Sequence, residues 1–135
     1  MNKEELKKYI SLKMEAETLK KQIEELEEDA KSLSSVVIDG MPKGSLKSDT
    51  VGRLILRIER KREEYFKKFD EVLCCLHRTE KAIETLDNPT ERALIRKRYL
   101  EGKRWEDICE DLHYEWAQVH RIHARILKRL GSDTQ

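Results

Sequence analysis

Apolar residues recur along the first third of the chain at Tyr9, Leu12, Ala16, Leu19, Ile23, Leu26, Ala30, Leu33 and Val37, in steps that alternate three and four. A mean spacing of 3.5 residues keeps one stripe of a helix facing a partner helix, which predicts a coiled coil. A second stripe runs through Val51, Ile55, Ile58, Arg62, Tyr65, Phe69, Val72, Leu76, Thr79, Ile83 and Leu86, interrupted only by Arg62 and Thr79. Those two residues either fix register or lie at a solvated edge. Each helix would be roughly 50 to 55 Å long at the usual rise per residue, and equal lengths predict that they pair. Between them, residues 39–49 hold Gly40, Pro42 and Gly44, which stop one helix, and Ser48 or Asp49, either of which can cap the next. The first expectation is therefore an antiparallel coiled-coil hairpin over residues 1–87.

The pattern changes at Asp87-Asn88-Pro89-Thr90-Glu91. Asn88 suits a helix N-cap, Pro89 the first helical position, and Glu91 the returning half of a capping box. This helix should run to about Leu100 and end at Glu101-Gly102. Trp105, Ile108, Cys109 and Leu112 then mark the buried face of a short helix, His113-Tyr114-Glu115 interrupts it, and Val119, Ile122, Ile126 and Leu130 mark a last helix ending at Gly131. A short helix, a tight turn and a second helix make a helix-turn-helix, with the helix from Pro89 as the third wall of its core. The expected architecture is all-α, with the hairpin followed by a three-helix domain over residues 88–135.

Composition alters this picture little. With 41% charged and 38% hydrophobic residues the chain lacks material for a thick core, whereas helices burying one stripe each tolerate that ratio. The formal net charge of +1 carries no information about partners, but its distribution does. Residues 1–87 hold 18 Lys and Arg against 19 Asp and Glu, residues 88–135 hold 10 against 8, and residues 116–130 hold Arg121, Arg125, Lys128 and Arg129 with no acid. A local basic face is an electrostatic footprint for nucleic acid. Three cysteines, Cys74, Cys75 and Cys109, do not form a disulfide framework and fit a reducing cytoplasm. No run of 18 apolar residues or signal-type segment points to a membrane.

With successive residues about 100° apart, Ala117, Arg121, Ala124 and Lys128 fall opposite the buried stripe of the last helix, flanked by His120 and Arg125. Small side chains allow close approach to base edges, Arg121 can pair with guanine, and His120 can donate or accept. Trp116 falls nearer the core side, at the start of the helix, within reach of a thymine methyl or sugar. The expected base-contact set is Trp116, Ala117, His120, Arg121 and Ala124; the expected phosphate-contact set is Lys103, Arg104, Arg125, Lys128 and Arg129. His120 and His123 lack the carboxylates or cysteines that would make them a metal site. Nothing pairs a nucleophile with a base and no glycine-rich phosphate loop is present, so neither an enzyme nor a cofactor is expected.

Residues 94–112, from Leu94-Ile95-Arg96 through Gly102-Lys103-Arg104-Trp105 to Asp111-Leu112, resemble the fourth region of sigma factors, which reads an upstream promoter element. The whole chain, including Gly40-Met41-Pro42-Lys43-Gly44-Ser45 and the heptads, is similar to small regulators of Gram-positive phages and prophages of the ArpU and RinA type. The resemblance implies transcription regulation in a bacterial host, double-stranded DNA as partner and RNA polymerase as a second one, with homodimerisation through the coiled coil open. The chain departs from the sigma-like pattern at Cys109, where Ala is usual, at His113 for Gly, and at Glu115 and Arg104 for Ser or Thr caps. His113 would then sit at positive φ at some energetic cost. Two other readings stay open: a DNA-packaging protein like a small terminase subunit, and a coiled-coil adaptor.

Overall fold

The computed structural model describes the backbone of residues 1–38 and 45–132 and the side chains of 1–34 and 49–131. Five helices follow in order: α1 (Lys3–Ile38), α2 (Ser45–Glu84), α3 (Pro89–Ile95), α4 (Trp105–Leu112) and α5 (Trp116–Ser132), with a π-helical turn over Arg96–Leu100 continuing α3. The fold is all-α, with α1 and α2 forming a long antiparallel hairpin followed by short packed helices. Among the described residues no helix is long and apolar enough to cross a membrane.

Helix α1 starts with a reciprocal capping box, the Glu5 amide donating to Asn2 Oδ1 at 2.9 Å and the Asn2 amide to Glu5 Oε2 at 3.2 Å. Helix α2 begins at Ser45. Ser48 and Asp49 therefore lie inside its first turns instead of capping it, since no proline or glycine between Ser45 and Thr50 stops the helix from starting early. The remainder of the expected loop, residues 39–44, lies outside the described residues.

Packing divides the chain into two compact units: residues 14–70, and a second made of residues 1–13 with 71–135. In the first, α1 buries Ala16 and Ile23 and half-buries Leu19, Leu26, Ala30 and Leu33, as its heptads predict; Val37, the last position of that stripe, lies beyond the described side chains. Helix α2 differs from expectation. Ile58 is buried and Val51 and Tyr65 half-buried, but Ile55, Arg62 and Phe69 are exposed, while Leu54, Lys61 and Lys68 occupy the intermediate positions. The seam follows steps of 3 then 4 instead of 4 then 3. Lysine can fill such places because its methylene stem packs while its ammonium reaches water. Lys68 meets Glu15 at 2.9 Å and Arg62 meets Glu27 at 2.7 Å, the descending partner numbers of an antiparallel pair.

The second unit has one core. Leu94, Ile95 and Tyr99 from α3 and its π turn, Ile108 from α4, and Val119, Ile122, Ile126 and Leu130 from α5 are buried together with Leu6 from the start of α1 and Ile83 and Leu86 from the end of α2. The chain does break between α2 and α3 where a boundary at residue 88 is expected, yet the core continues across that break. Cys75 and Thr79 are also buried, and the Thr79 hydroxyl donates to the Cys75 carbonyl at 2.8 Å, so a polar group on the seam is satisfied within its own helix.

Candidate nucleic-acid interface

Helix α3 is set by Asn88, whose Oδ1 accepts from the Thr90 amide at 2.8 Å, with Pro89 at the first helical position. Glu91 does not close the expected capping box. Its buried carboxylate faces α5, where Arg129 Nη1 lies 3.1 Å away and Arg125 Nε 3.9 Å. The π turn then widens the helix before Gly102, at φ +70°, reverses the chain. Arg98 fastens that reversal: its Nη1 donates to the Lys103 carbonyl at 2.9 Å and its guanidinium lies 4.6 Å from the Trp105 ring centre.

Helix α4 starts at Trp105 after Arg104, whose side chain makes no capping bond. It ends at His113, in the left-handed conformation at φ 58° and ψ 40°, where the His113 amide donates to Glu110 O and the Tyr114 amide to Cys109 O. The expected positive φ at His113 is present. Three residues later α5 begins, with the Val119 amide donating to Glu115 O at 3.0 Å.

Helix α5 presents two faces. Val119, Ile122, His123, Ile126 and Leu130 are buried; Trp116, Ala117, Gln118, Arg121, Ala124, Arg125, Lys128 and Arg129 are exposed. The expected groove-facing residues Ala117, Arg121, Ala124 and Lys128 thus share the solvent side. Trp116 is 52% exposed, not turned toward the core, and its ring covers His120 at a centroid distance of 4.4 Å. His120 in turn lies 4.5 Å from Trp105, and its Nε2 is buried with no hydrogen-bond partner. The imidazole is packing beneath Trp116, and that nitrogen is closed to a base unless Trp116 moves.

His123 is buried further in, with Nε2 2.7 Å from the Tyr99 hydroxyl. Burial pushes its pKa down to about 4, with Lys3, His120 and Arg98 adding positive charge, and burial pushes the Tyr99 phenol up. Trp105 contacts both imidazoles, at 4.5 and 4.7 Å. Among the described residues no three His, Cys, Asp or Glu side chains gather where they would hold a metal ion.

Carboxylates lie beside Lys103, Arg104, Arg125 and Arg129 of the expected phosphate-contact set. Lys103 Nζ is 2.8 Å from Asp111, which also meets Lys97 at 3.4 Å; these bonds hold the Asp111 carboxyl below the usual range, and the same bond raises Lys103. Arg104 lies 3.4 Å from Asp107, and Arg125 and Arg129 share Glu91. The exposed pair of Arg104 with Asp107 and the half-exposed pair of Lys103 with Asp111 are weak in water, so a phosphate can compete for them, whereas Glu91 is buried. Lys128 is exposed. Gln118, outside the expected base-contact set, is also exposed. It lies one turn before Arg121 and Ile122 on the Arg125 side, and its amide has the donor and acceptor that recognise adenine.

No family model, curated protein or solved structure matches the chain.

Proposed function

We propose that the protein is a regulator of transcription of the phage and prophage kind, working in the cytoplasm of a bacterial host, that binds double-stranded DNA by setting α5 in the major groove. The observation that carries this reading is the solvent face of α5. It holds Ala117, Arg121, Ala124 and Lys128, with Gln118 and Arg125 beside them and no acidic side chain, behind a short helix and a three-residue turn. Arg121, Ala117, Ala124 and Trp116 read base edges. Lys103, Arg104, Arg125, Lys128 and Arg129 meet phosphates, and His120 supports Trp116 from beneath. RNA polymerase is a second partner in this reading, on the strength of the sigma-like stretch at 94–112.

Duplex affinity measured against salt is the test. Contacts to about four to six phosphates give a slope of log affinity against log salt near −4 to −5. Arg121→Ala should cost roughly 1 to 3 kcal/mol of discrimination against the wrong base, with an unchanged melting temperature because the side chain is exposed. A flat salt profile, or an Arg121→Ala protein that binds as well as the parent, overturns the reading.

A further inference from the structure

Among the described residues helix α2 carries two rows of apolar side chains, one facing α1 and one exposed. Residues 51, 54, 58, 61, 65 and 68 face α1. About a quarter turn away, Ile55, Phe66 and Phe69 are 48%, 63% and 41% exposed, in the same spacing of threes and fours once Glu59 and Arg62 are included. Tyr65 ties the aromatic part together, with ring centres 5.8 Å from both Phe66 and Phe69. An apolar stripe at heptad spacing on a helix is a surface for another helix, and monomeric proteins rarely leave one in water.

We infer that this stripe is the interface between two copies of the chain, with α2 packed antiparallel against its counterpart so that two hairpins form a four-helix bundle. Helix α1 does not supply the complementary surface: Met14 is its one exposed large apolar residue among the described side chains. In this arrangement the stripe meets its own copy, which is the isologous contact of a twofold dimer. Charge sets the direction. Between Arg53 and Arg62, α2 carries Arg53, Arg57, Arg60, Lys61 and Arg62 against Glu59; the next nine residues carry Glu63, Glu64, Asp70 and Glu71 against Lys67 and Lys68. A parallel pair would set the basic stretch against its own copy, whereas an antiparallel pair sets it against the acidic one. The dimer does not depend on what α5 binds.

The mass of the full chain in solution, by sedimentation or light scattering at tens of micromolar, decides the matter. The expected result is a dimer for the parent and a monomer with unchanged helical content for Phe66→Glu/Phe69→Glu, since both rings are exposed. A monomeric parent overturns the proposal, as does a ring of eight or more copies, or a dimer that survives the double substitution. Direction is read by spin labels in a chain whose three cysteines are alanine. Labels on Glu63→Cys should lie close together and those on Asp49→Cys roughly 40 Å apart, the span of two fifteen-residue helix arms; short distances at both positions overturn the antiparallel arrangement.

Discussion

At the turn between α4 and α5 a single residue holds a conformation that costs energy. His113 sits at φ 58°, where a side chain with a Cβ is disfavoured by about 1 to 2 kcal/mol, and its side chain is exposed. Glycine relieves the strain but gains freedom in the unfolded chain worth about 0.4 to 1 kcal/mol. His113→Gly should therefore stabilise the protein by roughly 0.5 to 1 kcal/mol in urea unfolding; a loss of stability would show that the imidazole matters to the turn. His123 produces the opposite kind of residue effect. Its folded pKa of about 4 lies below the ordinary histidine value of 6.5, so below 6.5 the unfolded chain takes up a proton that the folded chain refuses. Stability should be full above about pH 6.5 and fall as the pH drops toward 4. His123→Gln, which keeps an acceptor for the Tyr99 hydroxyl, should be less stable at neutral pH but have a flatter profile over that window; an unchanged profile would place the titration elsewhere.

Between elements, the contact of Glu91 with Arg125 and Arg129 ties the start of α3 to α5 and at the same time opposes the proposed function. Glu91→Gln should lower stability by about 1.5 to 3 kcal/mol, the scale of a hydrogen bond to a charged group, because the carboxylate is buried. It should also raise duplex affinity several-fold, because two arginines no longer share their charge with a carboxylate. A parallel fall in both quantities would place Glu91 in the fold alone. The pairing of Glu91 could not be read from the chain, where Asn88-Pro89-Thr90-Glu91 looks like a capping box; which way a carboxylate turns depends on a helix more than thirty residues away. The helices themselves were legible, since the spacing of Trp105, Ile108, Leu112 and of Val119, Ile122, Ile126, Leu130 admits one buried face each. The exposed face of α5 followed from the same spacing. Helix α2 was ambiguous for a reason visible in its residues: Val51, Ile58, Tyr65 and Val72 belong to either seam, and apolar residues stand both at Leu54 and at Ile55. Periodicity cannot say which of two stripes faces the neighbour when both exist, and the one not used by α1 became the exposed stripe. Nor can it show the π turn at Arg96–Leu100 or the hydroxyl of Tyr99 meeting His123, which depend on how three helices close around Trp105.

On the scale of the whole molecule, the unit that carries α5 is assembled from both ends of the sequence. Leu6 is fully buried in the same core as Ile108 and Ile126, and Ile83 and Leu86 are buried there too, although all three precede the break at residue 88. Gly102, at the reversal before α4, would bring an added Cβ within 3.4 Å of Ile10 Cδ1, so the start of α1 also bounds the turn that aims α4. Three short helices of 7, 8 and 17 residues have little apolar surface of their own to offset the entropy of ordering them. A fragment of residues 88–135 should accordingly show little helix by circular dichroism and no cooperative melting. In the full chain Leu6→Ala should destabilise the unit by about 2 to 5 kcal/mol, the range for removing a large aliphatic side chain from a closed core. Its duplex affinity, measured at a temperature where the variant remains folded, should match the parent, because Leu6 bears on whether α5 is held and not on what its exposed face touches. A fragment that folds and melts cooperatively by itself would show that the hairpin ends decorate a core they do not complete.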